Sequence, residues 1–355
     1  MELTRAKDLQ QEIIRWSKMG DLSLYKEADE RGLAVLDLLE ERDPSEHDNA
    51  GNISDPLDAF ERQLMLAGVR SDTASSVTVE DFFNGSAMIL TPEWFRRQIK
   101  AGMAMKSGVD RLVAFTSPVK GPSYKPIYIS SPETKGKSLG EFAEGAAMPK
   151  VTVTYRDKDV HINDYGRALD FTYRVIRWSP LAEFKVILWY VGFNIQNDKI
   201  GAVYNAVITG DGTSGPAVSV DAGAAGYQNL TYDDLVKLFV EFEPFEMNAF
   251  IVSKTVEAKI LSLAEFKDPM AGFTFQSTGQ IVTPLGAEIF RYDGASNNYI
   301  AAIDKRFAIK KGLEQDLMVE ADKIIDRKIE ECAISESIAY SVLLDDARRY
   351  LDMSS

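Results

Sequence analysis

The sequence predicts an α+β protein in which one long helix accompanies several short strands. Ser179 and Pro180 begin the longest helical pattern, because serine caps helices and proline suits the first helical position. Residues 151–155 alternate apolar and polar side chains, which is typical of a strand with one apolar face. Residues 230–310 alternate short helical and short extended patterns. Together these three observations favour a mixed fold with more than one lobe.

The composition is that of a globular protein and excludes several functional classes. The chain has 355 residues, with 40 basic and 54 acidic side chains and a formal charge of −14. This charge argues against sequence-independent binding to nucleic acid, which needs clustered Lys and Arg. With one cysteine and two histidines, an intrachain disulfide and Cys/His zinc centres are excluded. The longest apolar run, residues 186–193, is too short to span a bilayer, and residues 1–8 lack the apolar core of a secretory signal.

The first 80 residues hold most of the acidic excess, with 18 acidic and 9 basic side chains. Helical spacing of apolar residues recurs within 9–16, 33–39 and 55–66, and the polar segment 42–52 favours a linker. We interpret this region as an extended arm of helices rather than a compact domain.

A further helix and a long loop follow the arm. Thr91 and Pro92 predict a helix over about 91–101. Residues 109–165 contain short alternating runs among many glycines and prolines, which predicts a two-stranded excursion with His161 near its base.

The helix that begins at Pro180 is expected to reach Val207, about 42 Å at about 1.5 Å per residue. Its apolar stripe is interrupted at Asp198 and Lys199, which indicates an end that faces solvent or another chain. Strands are predicted within 315–344, and a helical turn with i,i+3 ion pairs is predicted over 345–352.

The segment from Gly210 to Gly215 fits the pattern G-x-G-x-x-G of dinucleotide-binding loops. That chemistry needs a strand before the glycines and a helix N-terminus after them. Here a long helix precedes the motif and a β-branched run follows, so we favour a turn. A nucleotide-binding enzyme that uses Gly210–Gly215 stays as an unfavoured alternative.

Three other features have simple structural interpretations. Glu241, Glu243 and Glu246 are expected at a solvated helix end, without a basic partner. Cys332 lies in a strand-like run and is predicted to be a buried or half-buried structural thiol. Because no nucleophile, base and oxyanion donor come together, the sequence predicts no enzyme, no cofactor and no metal site. The arm and the long loop instead favour a self-assembling structural protein, in which neighbouring copies cover exposed apolar residues.

Several segments in order resemble the tailed-phage major capsid protein family, which has the Hong Kong 97-type fold. The segments that carry the resemblance are Thr91–Phe95, the run "EGAAMP" at 144–149 within 139–149, the ending "TGDGT" at 209–213 after the long helix, and the run 337–347. The resemblance covers roughly residues 88–355.

The resemblance implies the parts of the fold. These are an N-terminal acidic helical arm (1–88), an opening helix and strand (89–114), an extended β-hairpin loop (115–165), a long spine helix with part of a peripheral domain (166–229), an axial domain (230–304) and the rest of the peripheral domain (305–355).

The resemblance also implies a function. The chain would assemble as hexamers and pentamers into an icosahedral shell that encloses phage double-stranded DNA without binding it specifically. Its partners would be other copies of itself, with portal, scaffold and cement proteins. It would be assembled in the host cytoplasm and reside in the virion, with no membrane involved. An encapsulin-type compartment shell is the alternative within the same fold.

In the family the extended loop lies over a neighbouring subunit. The residues that this implies as intersubunit contacts are Lys135, Lys137, Glu141, Phe142 and Glu144. Some members form a bond between a loop lysine and an asparagine near the C-terminus. No asparagine follows Asn298 here, so we predict no such crosslink. Deletion of residues 1–75 is expected to abolish shells and to leave a folded subunit.

Overall fold

The structure, a computed structural model, describes residues 2–19, 23–46, 55–69, 78–106, 108–130, 144, 152–267, 285–324 and 328–354. Contacts divide the chain into two compact units. The first comprises Met1–Met105, Gly166–Phe193 and Leu317–Ser335, and the second Lys106–Tyr165, Asn194–Asp316 and Glu336–Ser355. Helices accompany sheets with antiparallel and mixed pairing, which confirms the α+β class. The six predicted segments do not correspond to these two units and stay a prediction.

The helices of the described residues vary from one turn to almost eight turns. They are α1 (Glu2–Met19), α2 (Ser23–Arg31), α3 (Val35–Arg42), α4 (Ala59–Leu66), α5 (Val79–Asn84), α6 (Thr91–Ala104), α7 (Tyr173–Trp178), α8 (Leu181–Ile208), α9 (Tyr232–Val240), α10 (Lys254–Ser262) and α11 (Ala264–Lys267).

The strands of the described residues form two larger sheets and two short pairs. They are β1 (Phe115–Pro118), β2 (Ser123–Tyr124), β3 (Ile127–Ser130), β4 (Thr152–Tyr155), β5 (Val160–His161), β6 (Asn163–Thr172), β7 (Val218–Asp221), β8 (Ala249–Val252), β9 (Glu288–Arg291), β10 (Tyr299–Ile303), β11 (Ile309–Ile324), β12 (Ile329–Val342) and β13 (Arg348–Asp352). The sheet orders are β1-β11-β12-β6 and β7-β13-β10-β8-β9, and the pairs are β2-β5 and β3-β4.

The N-terminal helices α1–α4 belong to the first unit and bury apolar side chains, so the expectation of an extended arm is wrong for the described helices. Leu38, Leu39 and Phe60 are at most 1% exposed. The side chain of Gln63 donates to the carbonyl oxygen of Ala6 at 2.9 Å, which joins α4 to α1. Although the segment is acidic, its apolar stripes meet, and burial of those stripes stabilises the packed form.

The first unit has an aromatic core around α6 and the first half of α8. It contains Phe82, Phe83, Trp94, Phe95, Phe171 and Phe184. The rings of Phe171 and Phe184 lie 4.6 Å apart, edge to face. The predicted helix at Thr91 is therefore confirmed and is a central packing element.

Two glycines allow α6 and α8 to come into close contact. A β-carbon at Gly192 would overlap the carbonyl oxygen of Ile99, and one at Gly102 would overlap the backbone of Trp189. The indole nitrogen of Trp189 also donates to Gln98 Oε1 at 3.0 Å. The backbones of these two helices therefore touch where only glycine leaves room.

The second unit has two apolar cores associated with the five-stranded sheet. One includes the end of α8, with Val203 and Val207 against Ala301 and Ile303 of β10. The other packs α9 and α10 beside the same sheet, around Phe242 and Phe250. Neither Asp198 nor Lys199 breaks this arrangement, because Lys199 is 7% exposed and forms an ion pair with Glu336.

The predicted strands within 315–344 are confirmed as β11 and β12, whereas the predicted helical turn over 345–352 is only partly correct. Residues Asp345–Ala347 form a 3-10 turn, and Arg348–Asp352 is the strand β13. The strand pairs with both β10 and β7, and that pairing outweighs the local charge pattern. Among the described residues, none of the helices combines the length and apolar character needed to cross a membrane.

Candidate assembly surfaces

Most of the residues predicted to contact a neighbouring subunit lie outside the described residues. These are Lys135, Lys137, Glu141 and Phe142. Glu144 is described, in a turn with an exposed side chain. Their contacts stay a prediction.

The described parts of the long loop form a two-stranded ribbon with an exposed apolar face. Ile127 of β3 lies opposite Tyr155 of β4 in the antiparallel register, so the two side chains share a face. Val153 lies on that face too, since it is two residues from Tyr155. Ile127, Val153 and Tyr155 are 50%, 61% and 65% exposed. Exposed apolar side chains adjacent on an ordered ribbon favour a protein contact.

The root of this ribbon is packed against the second unit. Tyr124 of β2 donates a hydrogen bond to Ser341 Oγ of β12 at 2.8 Å. Its ring fills the space beside Gly312 of β11, where a β-carbon would lie 2.7 Å from it. Val160 of β5 is 3% exposed. The root therefore has buried contacts, in contrast to the apolar face of the ribbon.

Arg156 forms the second attachment of the root. It follows Tyr155 directly, and its amide donates to the carbonyl oxygen of Pro126 at 2.9 Å, which closes the ribbon. Its guanidinium donates to Ser214 Oγ at 2.8 Å and to Asp345 Oδ2 at 2.9 Å. The Arg156 side chain is only 12% exposed. Charge-assisted hydrogen bonds of this kind are directional and comparatively strong.

Asp345 is shared between two arginines. Its Oδ1 accepts a hydrogen bond from Arg348 Nη2 at 2.9 Å and another from Ser214 Oγ. Burial acts to raise the pKa of Asp345, but the hydrogen bonds from Ser214, Arg348 and Arg156 outweigh it and lower the pKa below its ordinary value. Arg348 is 1% exposed and also donates to the carbonyl oxygen of Ala206 at 2.8 Å. This carbonyl lies in the last turn of α8, where a cation is favoured.

The glycine-rich segment after α8 is a turn held by Asp211. Asp211 Oδ1 accepts from the amides of Thr213 at 2.9 Å and Ser214 at 2.6 Å, and Oδ2 accepts from the amide of Val342 at 2.7 Å. Gly210 has φ +90, and a β-carbon there would overlap the carbonyl oxygen of Ser214. The segment lies between helix α8 and strand β7. A dinucleotide loop has the opposite context, so the preferred interpretation as a turn is confirmed.

The first half of α8 has apolar side chains on two opposite faces. Leu181, Phe184 and Leu188 are fully buried in the first unit. On the other face, a stripe is exposed: Val186 (56%), Ile187 (48%), Tyr190 (67%) and Phe193 (38%). Trp178, at the end of α7, is 75% exposed. We call the stripe formed by Val186, Ile187, Tyr190 and Phe193 the outer face of α8.

Other residues singled out in the sequence have mainly structural positions. Glu241, Glu243 and Glu246 are exposed at the end of α9, as predicted, but Glu246 does have a basic partner, Arg306, at 2.9 Å. Cys332 is 1% exposed in β12, and burial raises the pKa of its thiol to about 12. His161 lies in β5 at the base of the ribbon, and its side chain is exposed. Within the described ranges, no group of three or more Asp, Glu, His and Cys side chains could hold a metal ion.

Sequence reasoning missed the network around Asp345. It interpreted Asp345 and Arg348 as an exposed helical ion pair, whereas Arg348 is buried and bonds to α8. Nothing in the run 345–352 indicated that Arg348 would be buried. Arg156 carried no signal at all, because its partners lie 58 and 189 residues away in the chain.

Comparison with known proteins gave matches of structure only. No protein-family model and no curated protein matches the chain. A virus-like particle from Pyrococcus furiosus matches with a TM-score of 0.49 and 12% identity, over 73% of this chain and 98% of that one. The capsid of the cyanophage P-SCSP1u matches with a TM-score of 0.47 and 11% identity, over 70% and 88% of the two chains. An encapsulin complex from Synechococcus elongatus matches with a TM-score of 0.46 and 13% identity, over 82% and 94%. These three solved structures are of a virus-like particle, a phage capsid and an encapsulin complex.

Proposed function

We propose that this chain is a shell-forming protein, and specifically a major capsid protein that assembles as hexamers and pentamers into an icosahedral shell around phage double-stranded DNA. The observation that carries the proposal is the outer face of α8. A helix that is apolar on all sides is normally buried on all sides. Here the outer face of α8 is exposed in the single chain, so a second copy is the natural cover.

The apolar face of the ribbon supports the same proposal. An isolated two-stranded ribbon is marginally stable in water, and three strands or packing against another element are normally needed. Ile127, Val153 and Tyr155 would gain that packing from a neighbouring copy, as the family resemblance implies for the extended loop. Burial of three such side chains would stabilise each contact by several kcal/mol, at about 25 cal/mol per Å².

The test is self-assembly of the purified full-length chain, measured by light scattering after size-exclusion chromatography and by negative-stain electron microscopy. We expect closed shells, or hexamers and pentamers that convert to shells. Tyr190→Glu should abolish them, because a charge on the outer face of α8 would have to be desolvated in the contact. Asn205→Glu is the matched control, since Asn205 is an exposed polar residue of the same helix. A monodisperse monomer for the wild type at every concentration, salt and crowding condition would contradict the proposal.

The contents of the shells distinguish the two kinds of shell protein. Shells that retain nuclease-resistant DNA when produced with a phage packaging system support the capsid role, with portal, scaffold and cement proteins as partners. Shells that retain a specific protein cargo would instead support the encapsulin-type alternative. The formal charge of −14 favours the capsid role, because a like-charged wall leaves packaged DNA free to move.

A further inference from the structure

We infer that Arg156 is a positioning residue that sets the direction in which the ribbon β3–β4 leaves the second unit. The inference rests on the proposed function insofar as this direction serves assembly. It is carried by three observations: the place of Arg156 in the chain, the bonds of its guanidinium to Ser214 and Asp345, and the contrast between the root and the apolar face of the ribbon.

Arg156 lies at the root of the ribbon, where a contact can determine the direction of both strands. It is the first residue after β4. Its backbone amide donates a hydrogen bond to the carbonyl oxygen of Pro126, which pairs it with the start of β3. A ribbon of two strands has no third strand to fix its plane, so its direction depends on contacts at the root. A contact one residue from the pair Ile127–Tyr155, at the root end of the ribbon, has the largest effect on that direction.

The partners of Arg156 belong to two different segments of the second unit. Ser214 is in the turn that follows α8, and Asp345 is in the 3-10 turn that precedes β13. A planar guanidinium with two donors on two partners has a defined orientation, which a single flexible ammonium would not have. The two hydrogen bonds of the guanidinium therefore fix the angle at which the ribbon leaves the second unit, as well as the position of its root.

The partners are themselves held in place. The amide of Ser214 donates to Asp211, and Asp345 is held by Arg348, which also donates to the last turn of α8. Hydrogen bonds through Arg348, Asp345 and Arg156 thus connect the ribbon to the C-terminal end of α8. The position of this helix end therefore determines the direction of the ribbon. Tyr124, on the other strand of the root, makes a separate bond to Ser341 and keeps the root attached without Arg156.

The test measures the direction of the ribbon in the unassembled subunit. Spin labels are placed on Val153→Cys, on the exposed ribbon face, and Gln228→Cys, an exposed residue of the same unit. Pulsed electron resonance then gives the distribution of their separation. We expect Arg156→Gln to broaden the distribution at least twofold. Lys158→Gln removes an exposed charge two residues away and should leave the distribution as in the wild type. Equal widths for both variants would overturn the inference.

Assembly is measured separately on unlabelled chains. We expect Arg156→Gln to reduce the yield of closed shells at least tenfold at a melting temperature close to that of Lys158→Gln. A broadened distribution with a normal yield of shells would overturn the role in assembly. A broadened distribution together with a wild type that forms no shells would support the positioning role of Arg156 and contradict the proposed function, so the two failures are distinguishable.

Discussion

At the scale of single residues, Asp304 shows how a buried carboxylate can be stabilised in its charged form. It is 0% exposed and accepts hydrogen bonds from the amide of Glu246 at 3.1 Å, from the side chain of Asn248 at 3.0 Å and from Arg306 Nη2 at 2.8 Å. Burial acts to raise the pKa of Asp304, but the bonds from Arg306, Glu246 and Asn248 outweigh it and lower the pKa below its ordinary value.

The lowered pKa of Asp304 predicts an acid-sensitive unfolding free energy. Since the pKa is lower in the folded state, its contribution is present above the unfolded value of about 3.9 and is lost as the pH falls below it. Asp304→Asn should lower the free energy of unfolding at pH 7 by about 2 kcal/mol, because buried donors lose acceptors. It should also flatten the pH dependence below about pH 4. Urea denaturation between pH 3 and 7 measures both effects.

A suitable control is Asp221→Asn, which alters an exposed carboxylate of β7. Its unfolding free energy at pH 7 should remain within about 0.5 kcal/mol of the wild type. If Asp304→Asn and Asp221→Asn had the same pH profile, the account of Asp304 would be wrong.

What the sequence could tell about individual residues depended on how local their partners are. Cys332 is buried, and its own strand pattern predicted a buried or half-buried thiol. Arg348 is different, because its partners Ala206 and Gly215 lie in another segment, and a buried arginine has no signature within its own run. The same applies to Lys199 and Glu336, whose charges compensate each other only after folding.

At the scale of secondary-structure elements, the crossing of α6 and α8 depends on two glycines. Gly192→Ala should lower the free energy of unfolding by about 2 kcal/mol or more, since the helices would have to separate. Helix propensity alone predicts the opposite, a gain of up to about 1 kcal/mol. Thermal and urea unfolding distinguish the two signs.

The control for that substitution is Gly215→Ala, because no heavy atom lies within 4 Å of a β-carbon at Gly215. This variant should unfold within about 0.5 kcal/mol of the wild type. Stabilisation by Gly192→Ala would show that α6 and α8 do not touch as described.

The elements were predictable where a local pattern and a cap agree. The helix predicted from Pro180 to Val207 corresponds to α8, Leu181–Ile208. It was predictable because both its N-terminal cap and its buried apolar stripe are local sequence patterns. The segment 345–352 was misassigned in part, since strand β13 is determined by its neighbours β10 and β7. The outer face of α8 was not recognised, because a second apolar stripe on one helix looks the same whether it is covered by the chain itself or by a partner.

At the scale of the whole molecule, the acidic N-terminal segment is part of a folded unit. The hydroxyl of Tyr25 donates to the carbonyl oxygen of Ile89 at 2.7 Å, and Arg97 of α6 pairs with Asp58 at 2.7 Å and lies over the ring of Phe60. Composition alone predicted an arm. The net charge of a helix describes its exposed surface, and it contains no information on the apolar stripe that the helix buries.

Deletion of residues 1–75 should therefore destabilise the subunit, contrary to the expectation from the sequence. The deletion removes Leu38, Leu39 and Phe60 and exposes their partners, so we expect a fall in melting temperature of about 10 °C or more. Circular dichroism of the truncated and full-length chains measures it. Equal melting temperatures with a loss of shells would restore the interpretation as a separate assembly arm.

The position of the single thiol has a practical consequence for conjugation chemistry. Cys332 is the one cysteine of the chain, it is 1% exposed, and burial raises its pKa to about 12. Maleimides and disulfide reagents react with thiolates, so the native chain should give almost no background at neutral pH. A cysteine introduced at an exposed residue beside the ribbon, for example Asp157→Cys, would then be the sole reactive handle. A dye or antigen could be attached at one defined point per copy without first removing a native residue.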